Sequence, residues 1–117
     1  MSDCIFCSLS NGEIPTDMVY EDDRIACFRD ADPQAPVHVL MVTKEHIASL
    51  DELDESYRDL MGYMMVKIHE IAASEGLENG YRVVINTGED GQQTVKHLHI
   101  HLLGTRKMTW PPGLREP

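Results

Sequence analysis

The sequence predicts an α+β fold: about five strands in one antiparallel sheet, with one long helix and one short helical turn. Three observations predict it. Between Glu55 and Glu75, apolar residues recur at three- and four-residue steps, the period of one helix face. Elsewhere, short runs rich in β-branched and aromatic residues are separated by brief turn signals, too close together for crossover helices. Near the end, Lys96-His97-Leu98-His99-Ile100-His101-Leu102-Leu103-Gly104 alternates apolar and polar residues, the period of a strand.

The elements follow in order. Cys4-Ile5-Phe6-Cys7 opens the chain and Asn11-Gly12 is a turn signal. Val19-Tyr20 and Ile25-Ala26-Cys27-Phe28 flank the acidic turn Glu21-Asp22-Asp23 and read as a hairpin. Pro33 and Pro36 bracket a loop, and Val37–Val42 reads as a mostly buried strand. His46–Leu50 suits one short helical turn. The long helix is expected from about Glu55 to Glu75, with Asp54 as N-cap and Gly76 ending it. Its apolar face is Tyr57, Leu60, Met61, Met64, Ile68, Ile71 and Ala72, widened by Met65 and Val66. Tyr81–Asn86 is the next strand, then a loop over 87–94, the histidine strand, and an irregular tail over 104–117.

With 117 residues there is room for a single domain spanning 1–117 and one core. The chain is acidic, with 20 Asp plus Glu against 10 Lys plus Arg, which disfavours nucleic acid or an anionic membrane as partner. No stretch is apolar enough to span a membrane, and no signal peptide is visible after Met1. The 3 cysteines, an odd number, argue against a disulfide framework and fit a cytoplasmic protein.

On the expected strand, Leu98, Ile100 and Leu102 enter a core while His97, His99 and His101 line the other face. Neighbouring histidines there lie roughly 6.6 Å apart at about 3.3 Å per residue, a spacing that suits one phosphoryl group approached by several imidazoles. A single metal held by all three fits less well, because residues four apart are separated by about 13 Å. A neutral imidazole nitrogen is nucleophilic near pH 7 when its second nitrogen is oriented, for instance by a backbone carbonyl. The loop before the strand carries Gly88 and Gly91, which permit tight turns that aim N–H groups at an anion, and Gln93 and Thr94 add donors.

The run His97-Leu98-His99-Ile100-His101-Leu102-Leu103 resembles the His-φ-His-φ-His-φφ motif, φ being apolar, of the histidine triad (HIT) family of nucleotide hydrolases and transferases. The resemblance extends from Asp3-Cys4-Ile5-Phe6-Cys7 to Trp110-Pro111-Pro112-Gly113. That tail resembles the Hint-like purine nucleoside phosphoramidase branch, and His101 stands where the uridylyltransferase branch has glutamine. The resemblance implies the HIT fold, a homodimer, and a central histidine, His99, that attacks the α-phosphorus and is transiently nucleotidylated. It implies supporting roles for His101 and His38. It puts Asn86, Gln93 and Thr94 at phosphate- or ribose-contacting positions and makes Asp30 the ribose-contacting acid. Trp110 suits an anchor for a partner subunit's site.

Cys4-x-x-Cys7 on its own fits two small buried residues, a redox pair or half a zinc site. The redox reading needs a thioredoxin-like βαβ context, which is absent. Zinc needs two further ligands, and His46 and His97 are available; bacterial-type family members carry this pattern. On that reading His97 is a structural ligand. Thr43 stands where the family commonly has proline.

Two classes of function follow. One is an enzyme that hydrolyses purine nucleoside 5′-phosphoramidates such as adenosine 5′-monophosphoramidate, with a dinucleoside polyphosphate hydrolase as its close rival. The other is a non-enzymatic nucleotide-binding or scaffold protein.

Overall fold

A computed structural model describes residues 3–113. Five strands form one sheet: β1 (Met18–Glu21), β2 (Ile25–Arg29), β3 (Val37–Thr43), β4 (Tyr81–Val84) and β5 (His99–Gly104). Their order is β1-β2-β3-β5-β4 and every neighbouring pair is antiparallel. The β1–β2 turn is held by Asp22, whose carboxylate accepts from the Arg24 and Ile25 amides at 2.8 and 2.9 Å. The last strand inserts between β3 and β4 rather than adding at an edge. The histidine strand therefore lies inside the sheet, with Leu40 opposite His101 and Val42 opposite His99.

Both faces of the sheet are covered, so the inner strands read as nearly continuous apolar runs. Ile25, Cys27, Val39, Met41, Ile100 and Leu102 point to one face, where they meet Met64, Ile68, Ile71 and Ala72 of helix α2 (Arg58–Ser74). Those four helical residues form a stripe one turn apart, the side that helix periodicity buries. Ala26, Phe28, Leu40 and Val42 point to the other face beneath Phe6, on the short helix α1 (Ile5–Ser10). His38, His99 and His101 are on this second face, since alternation sets them opposite Val39, Ile100 and Leu102.

Four expectations need correction. The long helix begins at Arg58; Glu55–Tyr57 is a 3-10 turn, capped by Asp54, which accepts from the Ser56 amide at 2.9 Å. Asp54 is a cap as expected, but of the tighter turn that often precedes an α-helix. Met65 and Val66 do not widen the buried face; they are 45% and 59% exposed. The short turn lies at Leu50–Glu52, later than His46–Leu50, and β4 stops at Val84, two residues before Asn86. Helix α1, six residues with no room for a periodic signal, had no counterpart in the sequence reading.

Gly76 does end α2, with φ +75. The Leu77 and Gly76 amides donate back to the Ala72 and Ala73 carbonyls at 3.0 and 3.1 Å, and buried Leu77 closes over the end. That pairing of reverse bonds needs a left-handed residue, which glycine supplies without steric cost. Among the described residues no helix is long and apolar enough to cross a membrane.

Candidate functional site

The face beneath α1 opens into a cavity of about 530 Å³. His38, His99 and His101 form its polar floor, Asp30 and Thr94 stand at its sides, and Ile5, Leu9 and Phe28 contribute apolar wall. The rings of His99 and His101 are 5.0 Å apart, those of His38 and His101 5.1 Å. Three imidazoles on two adjacent strands thus converge on one space, the result of seating β5 against β3.

Hydrogen-bond partners decide which nitrogen carries each proton. His99 Nδ1 lies 2.6 Å from the His97 carbonyl oxygen. A carbonyl only accepts, so Nδ1 is protonated and the lone pair is on Nε2. The Gln34 amide donates to His38 Nδ1 at 3.0 Å, which leaves the proton of neutral His38 on Nε2. That Nε2–H donates to His101 Nδ1 at 2.9 Å, and the remaining proton of His101 is then on its own Nε2. One nucleophilic lone pair and one N–H donor, each with its opposite nitrogen fixed, are therefore supplied by His99 and His101. Asp30 Oδ2 is 3.5 Å from His38 Nε2.

Burial dominates the acidity of His101 and His38. It lowers His101 to about 4, helped by the neighbouring His99 and His38 against an opposing pull from Asp30. It lowers His38 too, partly offset by Asp30 and Asp32. Both are neutral at pH 7, as the hydrogen-bond assignment requires.

His97 stands apart from this group. The bend over residues 95–97 precedes β5, so His97 is outside the strand and its ring does not join the cavity. It is fully buried beside Cys4, Cys7 and His46. Its Nδ1 is 3.2 Å from Cys4 Sγ and 3.5 Å from Cys7 Sγ; His46 Nδ1 is 3.3 Å from Cys7 Sγ. Bond lengths of roughly 2.3 Å to sulfur and 2.0–2.1 Å to nitrogen place S and N about 3.6 Å apart on a tetrahedral ion. All four donor atoms lie within 4.8 Å of one another, so the cluster has the size and composition of a zinc site.

The tautomer fits as well. His97 Nε2 donates to the Thr43 carbonyl at 2.7 Å, which turns the Nδ1 lone pair toward the thiols. Burial also holds His97 below the ordinary imidazole value, although the Thr43 bond opposes it. Thr43 adds its hydroxyl, which donates to the Glu45 carbonyl at 2.7 Å in the turn leading to His46. A second grouping, Asp30 with His38 and His101, also has its donor atoms within 4.8 Å. There the Gln34 amide keeps a proton on His38 Nε2, the atom a metal would need. Cys27 belongs to neither group: buried behind the sheet, its thiol is pushed up to about 12, chiefly by desolvation.

The structure brings His38, His99, His101, Asp30 and Thr94 to one cavity, and Cys4, Cys7, His46 and His97 to one cluster. It does not bring Asn86, Gln93 or Trp110 to that cavity. Asn86 donates to the Gly91 carbonyl at 2.7 Å. The Gln93 amide donates to the Ala48 and Val95 carbonyls at 2.8 and 3.0 Å, and its oxygen accepts from Gly88. These side chains shape the loop that presents Thr94. Trp110 is 81% exposed, with Arg82 over its ring at 6.0 Å. Two contributors were not legible: Gln34, which acts through a backbone amide that no side-chain pattern signals, and Phe6, whose ring packs edge-on to His99 at 4.8 Å.

A family model described as scavenger mRNA decapping enzyme C-term binding matches residues 3–110. An uncharacterised HIT-like protein of Synechococcus elongatus is 54% identical over 95% of this chain and 97% of its own. A 14 kDa zinc-binding protein of Zea mays is 46% identical, covering 96% of this chain and 89% of that relative. The crystal structure of a HIT family hydrolase from Legionella pneumophila superposes with a TM-score of 0.93 at 46% identity, over 95% of this chain and all of that one.

Proposed function

The chain belongs to the histidine triad family, and within that family we propose that it is a purine nucleoside phosphoramidase working through a nucleotidyl-His99 intermediate. The observation that carries the reading is the Nδ1–H bond of His99 to the His97 carbonyl, which leaves a fixed Nε2 lone pair on the cavity floor. Asp30 accepts from the ribose hydroxyls and the apolar wall of Ile5, Leu9 and Phe28 takes the purine. Thr94 donates to the phosphate.

In the first step His99 Nε2 forms a bond to the α-phosphorus as the P–N bond breaks. Neutral His101 donates its Nε2–H to the phosphoryl group, and the departing nitrogen takes its proton from solvent water. In the second step water forms a P–O bond, the P–N bond to His99 breaks, and the water's proton returns to solvent. The net reaction consumes one water and releases a nucleoside monophosphate and an amine.

We further propose that Cys4, Cys7, His46 and His97 hold a structural zinc, and that the protein is a homodimer. Zinc there supplies folding energy and no chemical step. The deciding experiment measures turnover of adenosine 5′-monophosphoramidate against a diadenosine polyphosphate, with mass spectrometry after rapid quench. Faster phosphoramidate turnover and an adduct of one nucleoside monophosphate per active chain are expected. Preference for the dinucleotide overturns the substrate assignment; absence of any turnover or adduct overturns the enzyme reading.

A further inference from the structure

Two of the four sulfur and nitrogen donors in the metal-type cluster lie on one turn of chain. Cys4 caps α1, its Sγ accepting from the Cys7 amide at 3.4 Å, and Cys7 sits in that helix's first turn. Phe6 lies between them and points the other way, into the sheet. Its ring is 8% exposed and meets His99 edge-on at 4.8 Å, Phe28 at 5.8 Å and His97 at 6.2 Å. A six-residue helix has no stability of its own and stays where its contacts hold it. The two cysteines anchor it on one side and Phe6 on the other.

His97 makes the same connection through the backbone. Its ring faces the cysteines, while its carbonyl accepts from His99 Nδ1 at 2.6 Å. The cluster therefore reaches the candidate nucleophile by two routes. One fixes the hydrogen bond that selects the tautomer; the other sets an aromatic wall against the ring and limits its rotation.

We propose that Phe6 is a positioning residue for His99, and that the metal held by Cys4, Cys7, His46 and His97 acts on the reaction through it. With the cluster closed on a metal, α1 is clamped and Phe6 keeps Nε2 of His99 toward the cavity. With the metal removed, α1 loosens, the wall recedes and the ring samples orientations that do not present Nε2. Loosening α1 also moves Ile5 and Leu9, two residues of the apolar wall, so the effect on covalent bond formation is read at saturating nucleotide. This inference rests on the proposed nucleotidyl-transfer reading only for its kinetic arm.

The test uses the full chain, zinc-loaded and chelator-stripped, as the parent, Phe6→Leu and Phe6→Tyr. One readout is independent of activity: the ¹⁵N signals of the His99 imidazole at a single pH, which report its tautomer and its exchange between orientations. The second is the single-turnover rate of adduct formation, beside the nucleotide Kd. Stripping the parent is expected to broaden or shift the His99 signals and slow adduct formation by on the order of tenfold to a hundredfold, the range for a misplaced reacting group. Rates are compared at saturating nucleotide, because the Kd rises as Ile5 and Leu9 move with α1. Zinc-loaded Phe6→Leu should show the slow rate already and lose little more on stripping, and Phe6→Tyr, which keeps the ring, should recover the metal dependence.

Unchanged His99 signals and rate in the folded, stripped parent overturn the proposal. So does a zinc-loaded Phe6→Leu protein that matches the parent. If stripping unfolds the chain, the loaded variants decide; if Phe6→Leu does not fold, the stripped parent decides. Absence of any adduct in the loaded parent refutes the proposed reaction, and the imidazole signals still judge the coupling.

Discussion

At His99 the decisive bond is the one made by Nδ1, since it determines what Nε2 can do. His99→Ala is expected to abolish the adduct and lower turnover by orders of magnitude while nucleotide binding persists, because Asp30, Thr94 and the apolar wall are untouched. Equilibrium binding and quench mass spectrometry check this; an adduct that persists on the variant refutes the assignment. His101→Ala removes a donor that others partly replace and should cost about 3 kcal/mol in kcat/KM. His101 also marks the pH response of stability. Burial first, then His99 and His38, hold it at about 4 against an ordinary 6.5, so as pH falls the unfolded chain takes up this proton first. Stability contributed by the neutral ring is complete above about pH 6.5, declines between there and pH 4, and levels off below. His101→Gln should flatten that part of the slope in urea unfolding at pH 7 and pH 5; an unchanged slope rejects it. The three-histidine strand was legible because alternation is a local property. The place of His97 outside the strand was not, because it depends on where β5 begins, although its role as a ligand beside Cys4, Cys7 and His46 was expected. Nor were the inward turns of Asn86 and Gln93, whose donors are consumed by carbonyls that only the folded loop brings near.

Elements place these residues with unequal clarity in the sequence. Helix α2 was readable over most of its length because its buried stripe repeats every turn, and β2 and β3 because strong β-formers sit between turn signals. Helix α1 was not, since its place comes from tertiary contacts: Phe6 in the sheet and two cysteines at the cluster. Its dependence on the cluster gives a prediction at this scale. Removing zinc should destabilise the N-terminal segment before the sheet, because α1 loses its anchor while β2, β3 and β5 keep their own ladder and core. Amide exchange should quicken across residues 4–10 on chelation and change little in β3. Elemental analysis of protein purified without chelator should find close to one zinc per chain; a value well below that rejects the site. Cys4→Ser should reproduce the exchange pattern without chelator.

For the whole molecule, the sheet has two edges, and β4 forms one of them with Tyr81 and Val83 exposed by 42% and 36%. An edge strand carrying apolar side chains is a template for pairing with another chain. Trp110 in the tail, with Arg82 of β4 over its ring at 6.0 Å, adds a further large apolar group beside this edge. We predict that a second copy of the chain covers this surface, pairing β4 to β4 and carrying Trp110 toward the partner's cavity. Sedimentation at micromolar concentration should give twice 13.2 kDa, and Val83→Asp should shift it toward the monomer. A parent that sediments only at 13.2 kDa sinks the prediction. The position of Trp110 has a sharper test, because it is outside the cavity of its own chain. Trp110→Ala should lower kcat/KM, and His99→Ala should have almost none. Mixing the two after dissociation creates dimers in which the intact His99 of one subunit faces the intact Trp110 of the other. If Trp110 works across the interface, the mixture gains activity above the sum of its parts. If it works within its own chain, no subunit has both residues and the mixture gains nothing.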